Sequence, residues 1–188
     1  MSVLADKRPV AAFGTIFGTD GYIQRLIAKA MPTIHLTTFV AAPADRVFDL
    51  ARSIDLHRKS MAHTEEQAIA GTTAGLIGLD ETVTWKARHL MKMRVLKSKI
   101  TAMNRPLSFT DEMVDGDFKS IRHEHHFKKI DNGTLLIDLF HFETPYGGLG
   151  RLVNQLFLTR YMRALLETRN RAIKEYAESE KWKFILDK

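Results

Sequence analysis

Five strand-like segments stand close together between residues 81 and 143, followed by one long helical pattern, and few folds accommodate that order. The segments read ETVTWKARHL (81–90), KMRVLKSKITAM (92–103), LSFTDEMV (107–114), FKSIRHEHHFKKI (118–130) and TLLIDLFHFE (134–143). Between them stand turn formers: Asn104, Arg105 and Pro106; Asp115 and Gly116; Asp131, Asn132 and Gly133. Such short connections predict an antiparallel meander. From about Leu149 to Glu178 the apolar residues fall at helical spacing, with Leu152, Leu156, Phe157, Met162, Leu165 and Ile173 on a wide face that requires deep packing.

Upstream, TIHLTTFV (33–40) reads as a strand. It is followed by APADRVFDLARSIDLHRKS, two short helices with Pro43 in the first turn and Ser53 positioned to cap the second. EQAIAG is a short strand. GTTAGLIGLD (71–80) lacks the Gly-Lys-Ser/Thr ending of a phosphate loop, so its glycines are read as a bend or hairpin connection, and Leu76, Ile77 and Leu79 are expected to line the mouth of a cavity. The predicted fold is therefore α+β: a curved antiparallel sheet wrapped around a long C-terminal helix, with two short helices after the first strand. A hollow between sheet and helix is where a ligand would enter.

Composition narrows the chemistry. The chain of 188 residues has no cysteine, which removes disulfides, thiolate metal sites and a cysteine nucleophile. No run of about 18 apolar residues is present, and a cytoplasmic location is expected. The formal charge of +6 favours acidic partners in a non-specific way. Arg151, Arg160 and Arg163 are expected to form a solvated edge that could meet an anionic membrane surface transiently. Aromatics do not interleave with these cations, so specific nucleic-acid binding is not expected. Residues 1–30 read as a partly ordered extension in which Tyr22, Ile23, Leu26 and Ile27 form a short amphipathic helix; the domain is expected to span 31–178, with Met31 an alternative start, and 179–188 to be a tail.

IRHEHHFKK (121–129) holds three histidines, and strand alternation divides them. Ile121, His123, His125 and Phe127 share one face, expected to be concave; Arg122, Glu124 and His126 share the solvent face. With Asn132 and Gly133 as a two-residue turn, Phe127 would oppose Asp138, and His125 would oppose Phe140, which places Asp138 diagonal to His125. Three uses of these histidines remain open. One is an acid/base pair, His125 oriented by Asp138, although no nucleophile accompanies it. The second is a metal site on the His-x-His spacing, for which no second motif fixes the remaining ligands among His89, Glu112, Asp138 and His141. The third is a polar wall of a pocket or a mutually satisfied structural pair. Asp111 and Glu112 are adjacent, so one points inward and the other out. Neither a metal nor a cofactor is expected.

Several stretches carry a resemblance: FVAAPADRVFDLARSIDLH, GLIGLDETVTWKARHL, FTDEMVDGDFKSIRHEHHF, GTLLIDLFHFETPYGGLG and the final helix. Together they resemble the SRPBCC superfamily, which includes START lipid-transfer domains, birch-pollen-allergen-like proteins and polyketide cyclase/dehydrases. The resemblance implies a helix-grip fold with a hydrophobic cavity roofed by the long helix, and carries no catalytic set onto this chain. The expected function is binding or transport of a small hydrophobic molecule such as a lipid, quinone or polyketide-like aromatic. Its expected wall comprises Leu76, Ile77 and Trp85, the strand residues His123, His125, Phe127, Phe140 and Phe142, and Leu156. The alternative is a cyclase/aromatase-like or hydrolase enzyme that uses His125 with Asp138.

Overall fold

The computed structural model describes residues 33–144 and 150–187; the N-terminal extension expected over 1–30 lies outside the described residues. Among the described residues, seven antiparallel strands form one sheet: β1 (Thr33–Val40), β2 (Gln67–Gly71), β3 (Thr82–His89), β4 (Lys92–Asn104), β5 (Ser108–Asp115), β6 (Ser120–Ile130) and β7 (Gly133–Glu143). Their spatial order is β1-β7-β6-β5-β4-β3-β2, so the meander is continuous and the first strand completes it beside the last. Irregular pairing at Ala68/Ala70 and between β4 and β5 gives the bulges by which a sheet curves.

Two short helices, α1 (Ala44–Ala51) and α2 (Ile54–Ser60), lie between β1 and β2. Pro43 sits at the N-cap of α1 with φ −60°, and the Ser53 hydroxyl accepts from the Leu56 N–H at 3.2 Å, capping α2. The break between the helices is braced by the glycine-rich segment: the Ile54 N–H donates to the Gly75 carbonyl at 2.9 Å and the Ile77 N–H to the Arg52 carbonyl at 3.2 Å. Ile77 is consequently buried against α1 and α2, and Leu76 pairs with Ser53.

Helix α3 (Gly150–Ala177) packs on the concave face. Among its described residues, Leu166, Ile173 and Ala177 are buried and apolar at the spacing of one helical face, and Asn170 interrupts that stripe while being equally buried. The segment expected to be a tail is instead folded: a 3-10 turn (Glu180–Trp182) leads into α4 (Lys183–Leu186), and Ile185 joins the core while Arg46 lies over the Trp182 ring. Apolar content at the end of the chain is what holds it down.

Alternation along β6 and β7 has the predicted parity. Ile121, His123, His125 and Phe127 point inward with Leu136, Asp138, Phe140 and Phe142. Their register differs from expectation by two residues: Ile130 pairs with Gly133, Phe127 with Leu136, His125 with Asp138 and His123 with Phe140. The turn falls on Asp131 and Asn132. Gly133 is required elsewhere, because a Cβ on it would lie 2.2 Å from the Val40 carbonyl oxygen of β1 and its φ is +154°. A glycine that serves close strand approach therefore looks, in sequence, like a turn residue.

Two apolar clusters result. One holds Phe48, Phe109, Phe127 and Leu136, with Phe48 meeting the other two rings edge-on; the second holds Ile34, Ile121, Phe140, Phe142 and Leu166. Between them, on the middle of β6 and β7, lies a polar layer.

Candidate functional site

The polar layer follows directly from alternation, since His123 and His125 separate Ile121 from Phe127 just as Asp138 separates Phe140 from Leu136. Asp138 is 1% exposed and accounts for its burial with three partners. One carboxylate oxygen, Oδ1, receives His123 Nε2 and His125 Nδ1, each at 2.9 Å, while Oδ2 accepts from the Asn170 amide at 2.6 Å. Burial alone would raise the Asp138 pKa, but the two imidazole hydrogen bonds outweigh it and hold the carboxyl well below its ordinary value. Asp111 is the inward member of its adjacent acidic pair: its Oδ2 lies 3.1 Å from His125 Nε2 and 3.9 Å from His123 Nδ1. His123 is pushed down to about 4, first by burial and then by repulsion from His125, against the attraction of Asp138. Phe109 stacks on the His125 ring at 4.2 Å and fixes its plane.

A cavity of about 340 Å³ lies to one side of this layer, between β3, β4, β6 and the first half of α3. Its walls are mainly apolar, including Trp85, Ala87, Leu96, Ile121 and Met162. Two polar groups meet inside: His89 Nδ1 and the Tyr161 hydroxyl are 2.8 Å apart. Burial lowers the His89 pKa, and the opposing pull of Glu66 does not restore it. Glu66, also on the wall, pairs with His57 at 3.1 Å; that contact overcomes the opposing effect of burial and keeps its carboxyl below the usual value. His57 in turn stacks on Trp85 at 4.3 Å. Arg94 and Asp117 form an ion pair at the same wall.

Of the residues expected to contact a ligand, Trp85 lines this cavity. Ile77 and Trp85 line a smaller one of about 60 Å³, together with Asp111 and Arg169. His123, His125, Phe127, Phe140 and Phe142 are packed in the core between sheet and helix, Leu76 braces the α1–α2 break, and Leu156 is exposed on α3. His125 and Asp138 are paired, directly opposite rather than diagonal, and each is 1% exposed.

His89, Tyr161 and Glu66 are cavity groups not among the expected wall residues. A signal for His89 existed: it follows Trp85 and Ala87 at strand period two, and those two are buried. Tyr161 likewise lies four residues after Phe157 and four before Leu165 on the cavity side of α3.

A curved antiparallel sheet gripping one long helix around an apolar cavity is the helix-grip architecture of the SRPBCC superfamily. The chain belongs to the polyketide cyclase / dehydrase and lipid transport family, whose model matches residues 31–178. None of the curated proteins matches it in sequence. Solved structures agree in fold at low identity. The Zhui aromatase/cyclase from Streptomyces sp. R1128 is 16% identical with a TM-score of 0.63, over 79% of this chain and 94% of that one. The ginseng major latex-like protein 151 from Panax ginseng is 16% identical with a TM-score of 0.58, over 79% and 99%. A protein from Thermus thermophilus is 17% identical with a TM-score of 0.60, over 76% and 97%. Among the described residues, no helix is long and apolar enough to cross a membrane.

Proposed function

We propose that this protein binds a small, largely apolar molecule carrying at least one hydrogen-bonding oxygen, in the cavity between β3, β4 and α3. The observation that supports this most is the combination of apolar walls with the His89–Tyr161 pair inside them. Ligand pockets are commonly built in this way, with apolar surface for affinity and a few convergent polar groups for orientation. A volume of about 340 Å³ suits a compact molecule such as a quinone, a short lipid or a fused aromatic better than a long two-chain lipid.

The test is a thermal-shift and native mass spectrometry panel of quinones, fatty acids of graded length and polycyclic phenols. A compact ligand is expected to bind one to one and raise Tm. Ala87→Trp, which fills the cavity from β3, should abolish the shift while the variant stays folded. Tyr161→Phe should weaken an oxygen-bearing ligand about tenfold, as the loss of one hydrogen bond implies. A panel with no binder, or binding indifferent to Ala87→Trp, refutes the proposal.

A cyclase-type enzyme is the second reading, supported by the family's description. For that chemistry the His89–Tyr161 pair is better positioned than His125–Asp138, because a general acid or base must reach the bound molecule.

A further inference from the structure

The polar layer in the core has a geometry that ligand binding in the cavity between β3, β4 and α3 does not use. Asp138 Oδ1 takes an N–H from each of two imidazoles, through His123 Nε2 and His125 Nδ1. With the protons on those two nitrogens, both rings turn their other nitrogen, His123 Nδ1 and His125 Nε2, toward Asp111 as a lone-pair donor; with no metal bound, His125 Nε2 and Asp111 Oδ2 share a proton at 3.1 Å. These two atoms lie 3.9 Å and 3.1 Å from the same carboxylate oxygen, Asp111 Oδ2. Donor atoms of Asp111, His123 and His125 all lie within 4.8 Å of one another.

We propose that Asp111, His123 and His125 form a binding site for a divalent first-row transition metal. Metal bonds of about 2.0–2.2 Å to nitrogen and oxygen place neighbouring tetrahedral ligands about 3.4 Å apart. The distances from Asp111 Oδ2, 3.1 Å to His125 and 3.9 Å to His123, straddle that value. Two imidazoles and one carboxylate, with no thiolate, suit zinc, iron(II), cobalt(II) or manganese(II). Asp138 is a positioning residue: it holds both distal N–H groups, as carboxylates behind metal-bound histidines do, and Asn170 clamps its other oxygen at 2.6 Å. Phe109 stacked on His125 removes the remaining freedom of that ring.

Three protein ligands leave a coordination position open, which distinguishes this arrangement from a closed structural site. Entry is by way of Asp111, whose side chain is 25% exposed and lines the small cavity beside Arg169. The guanidinium of Arg169 donates to the Ala51 carbonyl at 2.6 Å and stands on the same small cavity, where an anionic fourth ligand would meet it. The competing occupant of the central point is a single proton shared by His125 and Asp111, and the experiment separates the two.

Chelator-stripped full-length protein is titrated with zinc chloride by calorimetry, and with cobalt(II) chloride by visible absorption and proton NMR. One equivalent is expected to bind with a rise in Tm. The cobalt form should show a low-coordinate d–d band and two exchangeable, hyperfine-shifted imidazole N–H signals, one per histidine held by Asp138. Asp111→Asn and His123→Gln should each weaken binding at least 100-fold, while His63→Gln and His126→Gln, on surface histidines, should leave it unchanged. The wild-type cobalt spectrum keeps the test decisive even where a core variant fails to fold. Absence of one-equivalent uptake at micromolar metal, or a cobalt spectrum without two imidazole N–H signals, overturns the site and leaves the proton as its occupant. Uptake abolished by His63→Gln or His126→Gln overturns it equally, by placing the metal at the surface.

Discussion

Asp138→Asn is the sharpest perturbation of the polar layer, because it changes charge and donor pattern with almost no change in shape. In the native protein all three contacts of Asp138 come from donors: two imidazole N–H groups on Oδ1 and the Asn170 amide on Oδ2. An asparagine can offer one acceptor and one donor. With its oxygen toward the histidines, its NH₂ faces the Asn170 NH₂ across a gap of 2.6 Å; flipped, its NH₂ faces both imidazole N–H groups. With Asn170 held in its native orientation, in which its amide also donates to Thr38 Oγ1 at 3.3 Å, a buried donor meets a donor either way and the negative charge is lost. Breaking a buried charged network in this manner costs about 3–5 kcal/mol. For a chain of this size that corresponds to a fall of about 10 °C in Tm. Urea unfolding followed by circular dichroism at pH 7.5, with chelator present, gives the free energy. Combining Asp138→Asn with Asn170→Asp restores complementarity, since the new amide at position 138 would donate to the new carboxylate at position 170 and keep its oxygen for the histidines. The double variant should recover about half of the loss or more, a strong departure from additivity. A loss below about 1 kcal/mol for Asp138→Asn, or a double variant that is simply the sum of the two singles, would refute the account of this layer.

Two further expectations concern stability. Gly133→Ala sets a Cβ 2.2 Å from the Val40 carbonyl at a φ of +154°, and should cost about 3 kcal/mol or more in the same urea assay; a neutral result would mean that β1 does not press on this glycine. Chelator-treated protein should lose stability on acidification. Because the native His123 pKa is lowered to about 4 from 6.5, the unfolded chain takes up a proton between those values that the native protein refuses, so unfolding becomes easier as pH falls through that window. Up to about 3 kcal/mol is at stake, and the depressed Asp111 and Asp138 act in the same direction at lower pH. Stability that stays flat or rises from pH 6.5 to 4 contradicts this, and His123→Gln should flatten the slope.

The architecture was legible because its signals are local: strand lengths, turn residues and the helical stripe are each decided within a dozen residues. Parity on β6 was equally legible, since alternation needs no knowledge of the partner strand. Register was not, because Gly133 answers to β1, a strand remote in sequence. At the candidate site, pattern alone brings the right residues together without locating the open part of the hollow. His123, His125 and Asp138 share a face with Phe127 and Phe140, but whether such a face borders a space or is filled by α3 depends on how far the helix stands from each strand. Met162 and Tyr161 stand over the open end; Leu166, Asn170 and Ile173 fill the other. Asp111 was undecidable from alternation alone, which sends one of two adjacent acids inward without saying which.

The pairing of β1 with β7 has a consequence for how the protein is made. Val40 pairs across to Thr134 and Thr33 to His141, so the first strand of the sheet to leave the ribosome is matched to the last of the meander. Until that final hairpin has emerged, β1 has an inward apolar row of Ile34, Leu36 and Val40 and no strand to bond with. Closure of the sheet is therefore a late, long-range event that local hairpins cannot anticipate, and such topologies fold slowly and expose an aggregation-prone edge meanwhile. During synthesis the N-terminal half of the domain therefore carries an unpaired, partly apolar strand until residues 133–143 have emerged.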